Sequence, residues 1–383
     1  MHTLKSFLVE SVVSLRNSLT HFLYRIVLKP IFFRNDPEMV HDHMIAFGAM
    51  LGRNKILRSL TGVFFNYHNR VLTQNILGIH FENPIGLAAG FDKNAELTDI
   101  LPAVGFGFEE VGSITGKPCT GNNGKRLWRL PQSKGLIVNY GLKNDGAEAI
   151  AHRLKQKHFH NKIGTSVAMT NCKDNVNIKN AVCDYAQAFK AFTAIGDYFT
   201  INISCPNAVG GQPFVTPYRL DYLLDILDEI PTKKPIFLKL SPDLTLKTVN
   251  EILDVSRHHR VHGIICTNLS KKKDNPAIIE KDIPNVGGVS GKPVEKLSNN
   301  LLAYIYKREG KRFILIGCGG VFSAEDAYKK IRLGASLIQM ITGMIYEGPQ
   351  LVSDINQGLK RLLERDGFKN IGDAIGVDNV QAA

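Results

Sequence analysis

Polar side chains suited to chemistry on a flat ring follow one mostly apolar stretch of the sequence. Residues 198–203 are mainly β-branched and aromatic, without Gly or Pro, which predicts a buried strand. The stretch ends in Asn202, Ser204, Cys205 and Asn207. Carboxamides both donate and accept hydrogen bonds, so beside a thiol they suit a planar heterocycle with ring N–H and C=O groups. Alternatively, Asn202 and Ser204 only cap a strand end and Cys205 is a small buried apolar side chain.

Small residues and lysines follow other predicted strands. Ala89 and Gly90 would let a flat ring approach the backbone, and Lys93 adds a cation. Glycine turns at 317–320 and 341–343, after the last two predicted strands, indicate a phosphate site. Together with Lys239 at another strand end they suggest flavin mononucleotide (FMN), because a lysine near N1 stabilises the anionic reduced flavin. Alternatively, Lys239 is a structural lysine that reaches a carboxylate.

The elements that must position these residues alternate between strand and helix. From about residue 71 we predict eight strands, at 85–89, 108–113, 163–167, 198–203, 236–240, 263–267, 313–317 and 337–340, each followed by a helical stretch. This count predicts an α/β fold, a (β/α)8 TIM barrel with an N-terminal helical extension. A doubly wound sheet is the alternative, but it would not usually need eight units. A short hairpin at 74–82 would plug one end of the barrel.

We divide the chain into an extension (1–70), a barrel domain (71–368) and a frayed C-terminal tail (369–383). The extension carries apolar residues at helical spacing, and Asp36 with Pro37 starts its second helix. It is either a helical pair packed on the barrel or an amphipathic pair that lies on a membrane surface and admits a lipophilic molecule. A basic fringe would favour anionic lipid: Lys5, Arg16, Arg25, Lys29 and Arg34.

Composition is that of an ordered globular protein of 383 residues with a formal net charge of +12. That charge fits nucleic acid, an anionic membrane or simply a solvated basic surface. The six cysteines form no Cys-x-x-Cys pair, which argues against a disulfide framework and a structural zinc site. We expect no metal site. There is also no Walker loop, and no Gly-x-Gly-x-x-Gly follows the first strand, which disfavours an NTP or dinucleotide site.

Six motifs together resemble the dihydroorotate dehydrogenase family over nearly the whole chain. They are Asn-Pro-Ile-Gly-Leu-Ala-Ala-Gly-Phe-Asp-Lys (83–93), Glu-Val-Gly-Ser-Ile-Thr (110–115), Asn-Ile-Ser-Cys-Pro-Asn (202–207), Lys-Leu-Ser-Pro-Asp-Leu-Thr (239–245), Gly-Gly-Val-Ser-Gly-Lys-Pro (287–293) and Gly-Ala-Ser-Leu-Ile-Gln (334–339). The extension, with Asp36-Pro37-Glu38 and His41, is similar to that of the membrane-associated, quinone-using class 2 enzymes.

The resemblance implies FMN-dependent oxidation of (S)-dihydroorotate to orotate in pyrimidine synthesis, with Cys205 as the catalytic base and a membrane quinone as acceptor. It implies peripheral association with the inner, cytoplasmic face of a membrane and no nucleic-acid partner. The implied FMN contacts are Ala89, Gly90, Lys93, Ser113, Ser166, Asn202, Lys239, Thr267, Gly291, Gly319, Gly320, Ile341 and Thr342. The implied dihydroorotate contacts are Lys93, Asn139, Asn202, Asn207 and Asn268.

The sequence departs from the class 2 pattern at four places. Cys205 stands where class 2 enzymes usually have Ser, as in the soluble class 1. The loop that starts at Asn139 is one residue short, Ser166 replaces a flavin-facing Asn, and Ile341 replaces a Tyr. Two alternatives follow: the same reaction with a soluble acceptor (fumarate or NAD), or a related FMN barrel such as a dihydrouridine synthase.

Overall fold

The computed structural model describes residues 2–310 and 312–379, with side chains from residue 9 onward. The helices are α1 (His2–Leu23), α2 (Lys29–Arg34), α3 (Pro37–Arg53), α4 (Lys55–Phe65), α5 (Leu101–Val104), α6 (Ala147–Leu154), α7 (Ile178–Ala191), α8 (Pro217–Asp228), α9 (Leu246–Ser256), α10 (Glu295–Glu309), α11 (Ala324–Arg332), α12 (Thr342–Glu347) and α13 (Leu351–Asp366). A π-helical turn (Tyr24–Leu28) joins α1 to α2.

The strands are β1 (Gln74–Ile76), β2 (Ile79–Phe81), β3 (Ile85–Leu87), β4 (Phe108–Ile114), β5 (Leu127–Leu130), β6 (Gly135–Val138), β7 (Lys162–Val167), β8 (Tyr198–Asn202), β9 (Ile236–Leu240), β10 (Gly263–Cys266), β11 (Gly288–Gly291), β12 (Ile314–Cys318) and β13 (Leu337–Met340). Eight of them close a parallel barrel in the order β3-β4-β7-β8-β9-β10-β12-β13. The predicted (β/α)8 barrel with a helical extension is therefore confirmed.

The amino-terminal mouth of the barrel is closed by the hairpin β1–β2, as the sequence predicted. Its Phe81 ring contacts the Phe108 ring edge-on inside the barrel, with 5.5 Å between centroids. Tyr198, Phe237, Ile265 and Ile316 complete this apolar plug. Ligands must therefore enter from the opposite mouth, where the strands carry their carboxyl ends.

A second, three-stranded sheet covers that opposite mouth, and the sequence did not predict it. It pairs β6 antiparallel with both β5 and β11, so residues about 150 positions apart lie side by side. The extension docks on this sheet. Arg126 of the β5 approach forms an ion pair with Glu38 of α3, and Arg129 donates to the Asn35 carbonyl at 2.8 Å.

One local expectation is wrong, and a second holds only in part. The predicted frayed tail is packed as far as residue 379: Ile371 and Ala374 are fully buried, and Arg332 pairs with Asp378 at 2.6 Å. Residues 380–383 lie outside the described residues. The basic fringe is also only partly free, because Arg16 donates to Ser353 Oγ at 2.6 Å and to two backbone carbonyls. The Lys5 side chain lies outside the described side chains.

Candidate active site

One cavity opens at the carboxyl ends of the barrel strands, beneath the three-stranded sheet. It brings together residues that are far apart in the chain. The predicted site residues that line it are Ala89, Gly90, Lys93, Ser113, Asn202, Cys205, Asn207, Lys239, Thr267, Asn268, Gly291, Gly319, Gly320, Ile341 and Thr342. Two predicted contacts, Ser166 and Asn139, do not line it. His41 of the extension forms part of its wall.

The carboxamides beside Cys205 are fixed by one hydrogen-bond network. Asn202 Oδ1 accepts from Ser204 Oγ at 3.1 Å and from Asn268 Nδ2 at 3.3 Å, and Asn202 Nδ2 donates to Ser113 Oγ at 2.8 Å. Asn268 Nδ2 also contacts Ser204 Oγ at 3.0 Å. Because every member holds its neighbour, the amides are pre-oriented and need little ordering when a ligand binds. The residues therefore do more than cap a strand end.

Ser166 supports this network from below. It is fully buried, and its hydroxyl lies 2.7 Å from Ser113 Oγ, the same oxygen that accepts from Asn202. It replaces the expected flavin-facing Asn with a shorter side chain that stops at Ser113. Ser166 therefore lies behind Ser113, outside the cavity wall, and its role as a direct flavin contact stays a prediction.

Asn139 is held away from the cavity by Asn122, which sequence reasoning missed. Asn122 Nδ2 donates to Asn139 Oδ1 at 3.1 Å and to the Asn207 carbonyl at 3.1 Å. Asn207 itself donates to the Val138 carbonyl at 2.8 Å. Asn139 therefore bridges two loops outside the cavity wall, and its role as a substrate contact stays a prediction.

Cys205 lies in the cavity wall without a basic side chain beside it. Burial raises the pKa of its thiol to about 11, although backbone N–H groups of Asn207 and Ala208 oppose the shift. An ordinary thiol pKa is about 8.5. Burial therefore moves the pKa of the Cys205 thiol in the direction that disfavours the thiolate near neutral pH.

Lys93 is the cation at the same end of the cavity. Its Nζ lies 4.0 Å from the centroid of the Tyr140 ring and 3.3 Å from His41 Nε2. Burial lowers the pKa of Lys93 to about 8, and the nearby Lys143 adds to the shift. Among the described residues, no carboxylate lies within 4 Å of its Nζ. Lys93 is therefore a buried cation that lacks an anionic partner. Sequence reasoning missed Tyr140 as its neighbour.

Lys239 differs, because it already has an acidic neighbour inside the barrel. Its Nζ lies 3.7 Å from Glu110 Oε1 and 3.4 Å from Gln339 Oε1. Gln339 donates to Glu110 at 2.7 Å, and Thr200 donates to it at 2.8 Å. Lys239 therefore does reach a carboxylate, as the alternative interpretation proposed, and it also lines the cavity. Sequence reasoning missed Glu110 as its partner. A carboxylate within a buried strand could have indicated a nearby cation, because buried charges are paired.

The other end of the cavity is made of glycine turns. Gly320 has φ +76°, and an added Cβ would lie 2.3 Å from Glu295 Cβ. Among the described residues, the backbone N–H groups of Gly320 and Val321 have no hydrogen-bond acceptor. Facing them, Ser290 Oγ and Thr342 Oγ1 lie 2.9 Å apart. Unpaired N–H groups beside hydroxyls form a cradle for an anion such as phosphate.

These features define a class: a (β/α)8 barrel whose strand carboxyl ends surround a cavity with glycine turns at one end and carboxamides beside a thiol at the other. The family model described as dihydroorotate dehydrogenase matches residues 71–363. The chain belongs to the dihydroorotate dehydrogenase family.

Similar proteins span nearly the whole chain. One from Natronomonas pharaonis, named dihydroorotate dehydrogenase (quinone), is 38% identical over 359 residues, which cover 93% of this chain and 99% of that protein. One of the same name from Trichodesmium erythraeum is 34% identical over 374 residues, with 93% and 99% covered. A crystal structure of DHODH from Eimeria tenella in complex with ferulenol has a TM-score of 0.80 at 30% identity, with 90% of this chain and 96% of that chain covered.

Proposed function

We propose that this protein oxidises dihydroorotate to orotate with bound FMN and passes the electrons to a quinone at a membrane surface. The observation that carries the proposal is the single cavity that joins Cys205 and the fixed carboxamides to the glycine cradle. The named relatives support the quinone as acceptor, so the alternatives with fumarate, NAD or an RNA substrate are not favoured.

FMN fits this cavity by three independent features. The glycine turns present unpaired N–H groups for the phosphate, and Ala89 and Gly90 offer a wall without bulk. The Lys239–Glu110 pair sits at the barrel centre, where a flavin ring would lie over it. When bound, the flavin supplies the hydride acceptor.

Different residues of the chain bind the carboxylate of dihydroorotate, bind its ring and remove its proton. Lys93 binds the substrate carboxylate, since a charge-assisted hydrogen bond would supply its missing anionic partner. Asn202, Asn207 and Asn268 bind the amide edges of the dihydropyrimidine ring, whose N–H and C=O groups match carboxamides. Cys205 takes the proton from C5 as the hydride leaves C6.

Residues 1–70 are the proposed membrane-binding and quinone-admitting domain. Among the described side chains, 25 large hydrophobic ones are exposed, and 18 of these lie between residues 9 and 64. Exposed apolar side chains that are scattered singly are normal, but a cluster of this size marks an interaction surface. Arg25 and Arg34 remain exposed along it for anionic lipid. No helix in the described part of the chain is long and apolar enough to cross a membrane.

The test is anaerobic stopped-flow spectroscopy of the purified protein. We expect dihydroorotate to bleach the yellow flavin and a quinone analogue to restore it, whereas fumarate and NAD restore it slowly or not at all. A colourless protein, or a flavin that dihydroorotate leaves oxidised, would refute the function. Cys205→Ala should keep the flavin and lose the bleach. Cys183→Ala, at an exposed cysteine on α7, is the matched control that bleaches normally.

A further inference from the structure

Lys330 is a fully buried lysine that the reaction described above does not use. It lies on α11, on the outer side of the barrel wall, with 0% of its surface exposed. The aliphatic part of the Lys330 side chain packs against β12, because a Cβ added to Gly317 would lie only 3.1 Å from Lys330 Cδ. The ammonium group is thus directed at the carboxyl end of β12, where the glycine turn begins.

The partners of this ammonium group are neutral oxygens. Nζ donates to Asn299 Oδ1 at 2.7 Å and to Ser298 Oγ at 2.9 Å. Ser298 Oγ in turn lies 2.8 Å from the Cys318 carbonyl and 3.1 Å from the Cys266 carbonyl. Ser298 also packs on the turn itself, since an added Cβ on Gly319 would lie 3.7 Å from its Oγ. Two hydrogen bonds, through Ser298, therefore link Lys330 to Cys318, which lines the cavity.

The charge of Lys330 has no partner in contact. In the described part of the chain, no carboxylate lies within 4 Å of its Nζ. The carboxylates of Glu295 and Asp326 interact with the Lys330 charge from a longer distance. Both already form ion pairs with Lys292, at 2.9 and 2.7 Å. Burial lowers the pKa of Lys330 to about 8, so the group is still mostly charged at neutral pH. A buried cation without a counterion is costly, and such a site is completed by an anion.

We propose that Lys330 is a positioning residue for the phosphate of the cofactor, acting through Ser298 and the glycine turn at Gly319 and Gly320. Its buried charge makes the cavity prefer a phosphorylated flavin, because Coulomb attraction is weakly screened in the protein interior. The inference rests on the proposed use of FMN and assigns a role to a residue outside the cavity wall.

The test compares FMN with riboflavin, which has the same ring and no phosphate. Full-length protein is loaded with either flavin, and release is followed by the rise in free-flavin fluorescence. In Lys330→Met we expect FMN to leave at least tenfold faster and riboflavin to leave within twofold of the wild-type rate. Lys329→Met is the matched control: it removes the same charge from the exposed face of α11 and should change neither rate.

Three outcomes decide the matter. Equal acceleration of both flavins in Lys330→Met means a purely structural lysine and overturns the proposal. If Lys330→Met does not fold, Lys330→Gln, which removes the charge but keeps a donor for Asn299 Oδ1, is loaded in its place, and equal acceleration of the release of both flavins there overturns the proposal as well. If the wild-type protein releases FMN and riboflavin at the same rate, the proposed cofactor is refuted, and the role of Lys330 in phosphate binding is refuted with it.

Discussion

The buried thiol of Cys205 predicts an unusual pH dependence of flavin reduction. Its pKa is raised from 9.0 to about 11 by burial, a cost of about 3 kcal/mol for forming the thiolate. At pH 8 only about one thiol in a thousand is then ionised, against about one in ten for the unshifted thiol. If the thiolate is the base, the limiting rate constant of reduction should rise about tenfold per pH unit from 7 to 10.

Substrate affinity should change in the opposite direction over the same range. Burial lowers the pKa of Lys93 to about 8, so its ammonium group is lost as the pH rises above that value. An anionic carboxylate binds the ammonium form. The half-saturating concentration of dihydroorotate should therefore increase above about pH 8, while the limiting rate constant still climbs.

Anaerobic stopped-flow reduction at several substrate concentrations separates the two effects, and Cys205→Ser sharpens the assay. Serine is the weaker acid, so the variant should keep slow reduction, with its optimum at higher pH. A limiting rate constant that levels off near pH 7, or that is unchanged in Cys205→Ala, would show that a group other than the Cys205 thiolate takes the proton.

Three further changes test the remaining parts. Gly320→Ala should lose flavin, because its Cβ has no room, whereas Gly78→Ala, at a similar φ of +80° with nothing within 4 Å, should keep the absorbance of bound flavin. Burial lowers the pKa of His259, but hydrogen bonds to two aspartates outweigh it and the net pKa is raised. This stabilisation is full below pH 6.5 and disappears as the pH rises through the folded-state pKa, so His259→Asn should lower the melting temperature at pH 5.5 more than at pH 9. Leu19→Glu, at a 58% exposed position of α1, should reduce sedimentation with anionic vesicles several-fold and leave flavin reduction by dihydroorotate intact; equal binding would contradict the membrane surface.

The barrel was predictable because its strands are continuous apolar runs, the pattern of strands buried on both faces. β9 and β13 begin and end at the predicted residues, and the other six barrel strands lie within two residues of theirs. The helical stretch expected after the first barrel strand is only Leu101–Val104, because Asp92 accepts from the N–H groups of Glu96 and Leu97 and holds the preceding segment in turns. A local hydrogen bond of this kind competes with helix formation.

The sheet over the cavity was not predictable from local pattern. Its strands have four residues each, and two of them contain glycine, so no periodicity develops. Its pairing joins Gly135 to Gly291, a contact that only the closed barrel can create. The direction of the Asn139 side chain has the same origin, because it depends on Asn122 from another loop. The predicted residues mostly line one cavity, whereas the orientation of their side chains depends on contacts distant in sequence.

The charges around the cavity follow from what each part must bind. Lys330 is fully buried and Lys93 is half-buried, both contact neutral groups, and they lie at the ends where the cofactor phosphate and the substrate carboxylate are proposed. Lys239, which lies beneath the proposed flavin ring, instead forms an ion pair with Glu110, with 3.7 Å between Nζ and Oε1. An oxidised flavin ring brings no charge, so a lysine there must be balanced from within the protein. Neutralising Glu110 should therefore leave Lys239 unbalanced and raise the reduction potential of the flavin, since the reduced ring is the anionic form.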